Sequence, residues 1–330
     1  ITAKTFVDSW LRTLNPETGS QYAFMISLIV EGADDYNTGK ADASAVGIRA
    51  VDDMTFEVQL TGPAPYAIDV IAHYAFNAVP IHTIEKFGTD WIKPGNFVGN
   101  GPFVLESWVP QERVTVVPNE KYWNKENVHL SRITFLPIED SNTAFEKYKA
   151  GEIDWNTGIP VPRIDEVKQL SDYQVAPQLS TYYYIFNVKR GPLQDARVRR
   201  ALTMALDREE LVEKVTKAGQ LATRSIVPPM AGYTPGEGAG FDPEQAKRLL
   251  AEAGYPDGKG FPVLTVIYNT LEGHKLIAEY VQESWKRNLG IDIKIQNYEW
   301  KTFLDMRNQH DFDISRAGWV GDYQDPNTFL

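Results

Sequence analysis

Short apolar strand patterns alternate with capped amphipathic helices along much of the chain, and this alternation limits the fold more than any other feature. One helix pattern opens at Asp242-Pro243-Glu244, in the order cap, proline and acid, and ends at Gly254. A buried strand pattern follows at 263–268, then an amphipathic helix pattern at 274–289 and alternating isoleucines at 291–295. Strands that alternate with helices predict an α/β protein with mixed sheets.

The rest of the chain shows the same alternation with shorter elements. The remaining patterns predict helices at 2–14, 68–74, 141–150, 192–206, 207–215 and 300–309, a β-hairpin at 46–60, and strands at 103–105, 114–117, 133–136, 151–155, 179–187 and 312–314. No internal repeat and no low-complexity tract interrupts them.

Length and charge limit the classes of function. The chain has 330 residues, 43% of them hydrophobic, which suggests about two domains, each with a sizeable core. Its formal net charge is -11, and it has no long basic run. An acidic chain of this kind is a poor ligand for a phosphate backbone, so we expect no nucleic-acid partner. Solubility alone also accounts for the charge.

The absence of cysteine excludes further classes of site. No cysteine-ligated zinc, iron–sulfur cluster, thiol nucleophile or disulfide can form. No run of eighteen apolar residues is long enough for a membrane-spanning helix, and no signal peptide is visible. Because the chain starts at Ile1 and stops inside an apolar segment at Phe329-Leu330, both ends are expected to be cut.

No catalytic arrangement is evident. The five histidines are scattered, and none has a partner at zinc-site spacing. No nucleophile elbow or phosphate-binding loop is present, since the glycines at 236–240 lack the lysine that a P-loop requires. We therefore expect no enzymatic activity, no metal and no cofactor.

The C-terminal segment has the least ordinary composition. Arginines, aromatic residues, glycines and one acid lie close together there: Arg307, Arg316, Gly318, Trp319, Gly321, Asp322 and Tyr323. An acid beside aromatic rings can hold an ammonium group, and an arginine can hold a carboxylate with its planar fork. Glycines would let a ligand backbone approach closely. Together these groups suit a zwitterion with separated charges, as in a peptide. The alternative is a surface loop with an arginine–aspartate ion pair.

Six segments, in order along the chain, resemble a known family. They are 2–10 (TAKTFVDSW), 100–103 (NGPF), 119–123 (NEKYW), 149–154 (KAGEID), 195–208 (DARVRRALTMALDR) and 249–255 (LLAEAGY). Together they are similar to the extracellular solute-binding proteins for peptides and nickel, and most closely to the oligopeptide-binding branch. That family carries further segments before Thr2-Ala3 and after Phe329-Leu330, so the resemblance implies that this sequence is part of a longer chain.

The resemblance implies a fold. Members have the type II-like periplasmic-binding-protein fold, in which two α/β lobes are joined by a hinge and the ligand is enclosed between them. Carried onto this chain, residues 1–97 would form part of an extra subdomain of lobe I, 98–177 part of lobe I, and 178–330 lobe II without its C-terminal part.

The resemblance also implies roles for residues. Asp322 would bind the α-ammonium group of a peptide, within a motif that includes Trp319 and Tyr323. The backbone around Gly318 and Val320 would pair with the peptide as an added strand. The remaining side chains assigned to the site are Arg316 and His274 at the peptide carboxylate, Arg307 near it, and Trp300 at the wall of a side-chain pocket. Tyr182 to Tyr184 are weaker candidates, since at least one of them fits core packing.

The implied function is that of the solute-binding component of an ABC importer for short oligopeptides. Such a protein would be periplasmic or anchored outside the membrane, would be a monomer, and would deliver its ligand to membrane permease subunits. Alternatives with the same fold are a dipeptide, a nickel chelate, an oligosaccharide or an opine-like compound as ligand. An alternative of a different class is a carboxylate-based hydrolase.

Overall fold

The structure, a computed structural model, describes residues 1–330. The chain divides into two compact units. The first unit comprises Ile1–Pro137 and Asp322–Asp325, and the second comprises Ile138–Gly321 and Pro326–Leu330. The sequence predicts lobe and subdomain boundaries after residues 97 and 177, which divide the chain differently from these two units. Those boundaries stay a prediction.

The first unit contains five short helices and two small antiparallel sheets. Its helices are α1 (Ala3–Leu14), α2 (Ala23–Ile29), α3 (Ala33–Asn37), α4 (Ala67–Ile71) and α5 (Ile81–Phe87). Its strands are β1 (Ile48–Ala50) and β2 (Phe56–Val58), which form a hairpin, and β3 (Phe103–Val109), β4 (Arg113–Pro118) and β5 (Ile133–Phe135), which form a second sheet.

The second unit contains the longer elements. Its helices are α6 (Ser141–Lys149), α7 (Ile164–Val167), α8 (Ala196–Met204), α9 (Arg208–Glu210), α10 (Pro243–Glu252), α11 (Glu272–Leu289) and α12 (Trp300–Asn308), with Leu211–Thr216 continuing α9 as a π-helix. Its strands are β6 (Ser180–Phe186), β7 (Leu264–Asn269), β8 (Ile293–Tyr298) and β9 (Ile314–Val320).

The four strands of the second unit form one mixed sheet in the order β6-β9-β7-β8. The β6–β9 pair is antiparallel, whereas β9–β7 and β7–β8 are parallel. Parallel strands need a crossover, and α11 supplies it between β7 and β8. This arrangement confirms the mixed α/β class that the sequence predicts.

Each unit has a core built around one tryptophan. In the first unit, Trp10 packs edge-on against Phe56 and Phe76, each at 4.9 Å, and its indole N–H donates to the Phe76 carbonyl at 2.9 Å. In the second unit, Trp285 on α11 is fully buried, and its N–H donates to the Leu202 carbonyl on α8 at 2.8 Å. Both indoles bury a large apolar area while their one polar atom stays paired.

Two of the motifs that carry the resemblance have structural roles. Asp195 caps α8 by accepting from the Arg197 N–H at 2.8 Å, and the Arg197 guanidinium donates to the Glu252 carbonyl at the end of α10, also at 2.8 Å. Asn119 holds the turn that precedes β3 by donating its amide to the Gly101 carbonyl at 2.9 Å. These side chains hold neighbouring elements against each other by hydrogen bonds. They do not contact any of the candidate site residues.

The structure contains four helices that the sequence patterns did not predict, α2, α3, α5 and α7, and it differs from the prediction at three further places. Residues 151–155 form bends and no strand, and Trp155 is 84% exposed. The helix expected over 68–74 ends at Ile71, because His73 leaves the helical conformation and caps a separate turn at Tyr74–Phe76. Residues 316–320 were open to a surface-loop interpretation, but they belong to β9 and pair with β6.

Candidate functional site

The β6–β9 pair brings several of the expected residues together in the second unit. Its register places Tyr182 opposite Gly318 and Tyr184 opposite Arg316. The Arg316 guanidinium carbon lies 4.9 Å from the centre of the Tyr182 ring, and one terminal nitrogen donates to Asn269 Oδ1, at the end of β7, at 3.2 Å. Strand pairing therefore holds an arginine against an aromatic face.

Arg316 has unused hydrogen-bonding capacity. Its Nε is buried without a hydrogen-bond partner. The surface-loop alternative, with an arginine–aspartate ion pair, stays a prediction, because Asp322 and Asp325 belong to the first unit. A buried donor without an acceptor carries a desolvation cost, which a ligand acceptor would offset.

His274 lies beside Arg316, in the first turn of α11. It is 8% exposed, and its Nδ1 is 3.4 Å from the Tyr182 hydroxyl. Burial, together with the nearby Arg316 charge, lowers the pKa of His274 to about 4. The imidazole is therefore neutral near pH 7, where it can exchange a hydrogen bond with a ligand but cannot supply a second positive charge.

Two tyrosines add hydroxyl groups to the same cluster. Removal from water raises the pKa of Tyr182 to about 12 and raises that of Tyr184 well above its ordinary value. Both phenols are thus protonated donors. The Tyr184 hydroxyl is close enough to Tyr182 for the two groups to interact electrostatically. It is buried and makes no hydrogen bond of normal geometry. Tyr182 was a weak expectation from sequence, and the structure places it at the centre of the cluster.

Helix α12 carries the other two expected residues of this unit. The guanidinium carbon of Arg307 lies 5.8 Å from the centre of the Phe303 ring. Removal from water lowers the pKa of this guanidinium. Two smaller effects oppose each other, since Tyr183 raises this pKa and the Arg316 charge lowers it. Trp300, the first residue of the helix, is 50% exposed and stacks on Phe303 at 6.0 Å. An exposed aromatic face beside an arginine can contact an apolar or acidic side chain of a ligand.

One side of β9 is open beyond its first residues. Its ladder with β7 comprises only Val266↔Ile314 and Ile267↔Ser315, whereas its ladder with β6 runs the whole length from Ile314 to Val320. The stretch from Arg316 to Val320 consequently has a strand on one side only. Gly318 and Val320, both exposed, lie on this stretch. Trp319 is half-buried, and its indole N–H donates to Thr328 Oγ1 at 3.4 Å.

Asp322 belongs to the first unit, where its side chain is 11% exposed. One carboxylate oxygen lies 3.4 Å from His73 Nε2. Burial raises the pKa of Asp322, and the proximity of His73 acts in the opposite direction. The role of Asp322 as the contact for a ligand ammonium group stays a prediction.

Tyr323 occupies a different environment from its neighbour. It is 7% exposed, belongs to the core of the first unit, and stacks on Tyr66 at 5.7 Å. Packing accounts for its aromatic ring, and its role as a ligand contact stays a prediction.

Three residues near these groups carried no signal in the sequence. They are His73 and Tyr22 beside Asp322, and Asn269 beside Arg316. His73 and Asp322 are far apart along the chain, so no local spacing could join them. Only the fold brings them into contact.

Other kinds of site find no support. No cluster of histidine and acidic side chains has the geometry to hold a metal ion. No helix combines the length and the apolarity that a membrane crossing requires.

The whole chain, residues 1–330, matches the family described as "bacterial extracellular solute-binding proteins, family 5 Middle". The chain belongs to this family. The resemblance inferred from the six sequence segments is therefore confirmed.

Relatives of this family 5 solute-binding protein are similar over all of its length. The periplasmic murein peptide-binding protein of Escherichia coli is 42% identical to it. A crystal structure of a periplasmic oligopeptide-binding protein from Borrelia burgdorferi superimposes with a TM-score of 0.94 at 41% identity, with all of this chain and 66% of the other covered. OppA of Haemophilus influenzae, in complex with RPPGFSPFR, has a TM-score of 0.88 at 35% identity, with 100% and 67% covered. This chain spans 63% of the length of the Escherichia coli relative.

Proposed function

We propose that this chain is the ligand-binding part of a solute-binding component of an ABC importer, and that it captures short oligopeptides. The observation that carries the proposal is the half-buried Arg316, whose Nε is buried without a hydrogen-bond partner. A guanidinium in this position fits a ligand carboxylate bound in a bidentate manner. The neutral His274 and Tyr182 would complete the hydrogen bonds of that carboxylate.

The other groups of the candidate site fit the remaining parts of a peptide. Asp322 provides a negative charge for the α-ammonium group. The open side of β9 from Arg316 to Val320 offers main-chain donors and acceptors to an extended backbone, and such pairing does not depend on the peptide sequence. Arg307, Trp300 and the exposed Gly318 and Val320 would contact ligand side chains or backbone.

Family membership and the names of the relatives support the same ligand class. Relatives are named for murein peptide or oligopeptide binding, and one is described in complex with RPPGFSPFR. We propose accordingly that the intact protein lies in the periplasm or is anchored outside the membrane, that it is a monomer, and that it delivers its ligand to permease subunits. Catalysis is not part of the proposal.

Isothermal titration with trialanine tests the proposal. The intact protein would be titrated with the free peptide, its N-acetylated form and its C-terminal amide. We expect binding of the free peptide, and a loss of at least about thirtyfold in affinity for each blocked form, because each lacks one of the two charges that the proposed site binds. The Asp34→Asn variant, which removes an exposed acid of the first unit, is the charge-matched control and should bind all three peptides like the parent protein.

Each alternative outcome has a distinct meaning. Equal binding of free and acetylated peptide would remove Asp322 from the site but keep the ligand class. Binding of no peptide would reject the proposed function in favour of another solute, which native mass spectrometry of the freshly purified protein would identify by its mass. Stoichiometric cleavage of the peptide would favour a hydrolase.

A further inference from the structure

His73 lies against the Asp322 carboxylate within the first unit, and both side chains are almost fully buried, at 8% and 11% exposed. His73 is the residue that separates α4 from the turn at Tyr74–Phe76. Its ring is therefore placed by a local break in the backbone as well as by packing.

A hydrogen bond fixes which ring nitrogen of His73 carries the proton. The Ala75 N–H donates to Nδ1 at 3.2 Å, so Nδ1 must present its lone pair. The proton of the neutral imidazole is then on Nε2, which is the nitrogen that faces Asp322 Oδ1 at 3.4 Å. That separation is at the long end of hydrogen bonding, and contacts of this kind tighten when a ligand binds.

Aromatic rings hold the imidazole plane. Tyr22 stacks on His73 at 4.8 Å, with 28° between the ring planes, and Tyr74 lies at 4.0 Å. Burial, followed by the interaction with the Tyr74 hydroxyl and the Asp322 charge, raises the pKa of Tyr22 to about 12. Tyr22 is therefore a neutral phenol near pH 7 and adds no charge beside Asp322.

We propose that His73 is a positioning residue, which orients Asp322 and keeps it ionised for a primary ammonium group of the ligand. This inference rests on the proposed function. A neutral donor satisfies one carboxylate oxygen while leaving the net negative charge of the site intact. A lysine or arginine in the same place would neutralise that charge and compete with the ligand.

Two substitutions separate the hydrogen bond that His73 accepts from Ala75 from its contact with Asp322. Asparagine in His73→Asn can accept from the Ala75 N–H, as an N-cap does, but is too short to reach Asp322. Glutamine in His73→Gln can place an amide N–H where Nε2 lies. We expect His73→Asn to weaken binding of free trialanine about tenfold, and His73→Gln to restore most of the affinity. Affinity for the N-acetylated peptide should be the same in all three proteins.

The pH dependence of peptide affinity provides a readout that a merely structural role of His73 would not change. An ammonium ligand binds the ionised carboxylate, so affinity falls as the pH drops through the pKa of Asp322. Loss of the donor disfavours the ionised form, and we expect the fall in affinity to begin about one pH unit higher in His73→Asn. Melting temperatures of the variants, measured in parallel, show whether each one is folded.

Measurements without peptide keep this inference separate from the proposed function. The ¹⁵N chemical shifts of His73 should show the proton on Nε2, and the ¹³C titration of the Asp322 carboxyl, assigned against Asp322→Asn, should move to higher pH in His73→Asn. A proton on Nδ1, an unchanged Asp322 titration, or unchanged free-peptide affinity in a folded His73→Asn protein would each overturn the role of His73. Failure of the parent protein to bind any peptide would instead reject the proposed function, while the two spectra still decide the His73–Asp322 contact.

Discussion

Arg316 shows how a single side chain can be unfavourable for folding and useful for binding. Its Nε gave up water on burial without gaining a partner in the folded chain. A buried donor without a partner lowers the free energy of unfolding, and a ligand acceptor that bonds to it would restore that loss. The residue type was predictable from its neighbours in the sequence, whereas the missing partner could be seen only in the structure.

Replacing Arg316 by lysine tests whether the planar fork matters beyond its charge. Lysine keeps the positive charge but loses bidentate geometry, so we expect Arg316→Lys to reduce affinity for free trialanine about tenfold. The C-terminal amide should bind both proteins equally, because it lacks the carboxylate. Titration calorimetry measures the change, and Arg248→Lys, at an exposed position of α10, is the control. Equal loss for both peptides would point to a packing role for Arg316.

His274 predicts a pH dependence of stability. An unfolded histidine titrates near pH 6.5, and burial moves the pKa of His274 down to about 4. Between these values the unfolded chain binds the extra proton, so stability falls as the pH drops from about 6.5 to about 4. The contribution amounts to about 3 kcal/mol. In urea unfolding at a series of pH values, the free energy of unfolding should fall less steeply with decreasing pH in His274→Gln than in the parent protein. His129→Gln, a substitution at an exposed position, should leave this slope unchanged. An equal slope in His274→Gln would contradict the assignment.

At the scale of elements, sequence patterns succeeded wherever one local interaction decides the outcome. Asp242 caps α10 by accepting from the Gln245 N–H at 2.9 Å, as the order Asp-Pro-Glu predicts. The strand expected at 151–155 failed although Glu152 to Trp155 alternate between polar and apolar residues, because nothing in the chain covers Trp155. The open side of β9 could not be foreseen, since strand order depends on contacts between distant segments.

Trp285 joins α11 to α8, and its substitution tests that junction. Phenylalanine fills most of the volume but leaves the Leu202 carbonyl without the indole N–H. We expect Trp285→Phe to lower the free energy of unfolding by about 2 kcal/mol. Trp155→Phe, at an exposed position, should change it by less than about 0.5 kcal/mol. Urea denaturation followed by circular dichroism compares the two variants, and similar effects would reject the proposed importance of the buried indole.

At the scale of the whole molecule, ligand binding and stability are linked. A peptide present at 100 times its Kd stabilises the folded state by about 2.7 kcal/mol. If Asp322→Ala weakens binding about thirtyfold, the same peptide concentration should stabilise that variant by only about 0.9 kcal/mol. Differential scanning calorimetry with and without trialanine measures both values. An equal rise in melting temperature for parent and variant would show that Asp322 does not contribute to affinity.

The open side of β9 has a consequence for the solution behaviour of the protein. A strand with unpaired main-chain groups can accept any extended segment, including one from a second copy of the same chain. The formal net charge of -11 opposes such an encounter, because two acidic molecules repel each other at long range. Concentrated salt screens that repulsion. The acidity that the sequence shows from the start therefore protects an exposed strand from self-association.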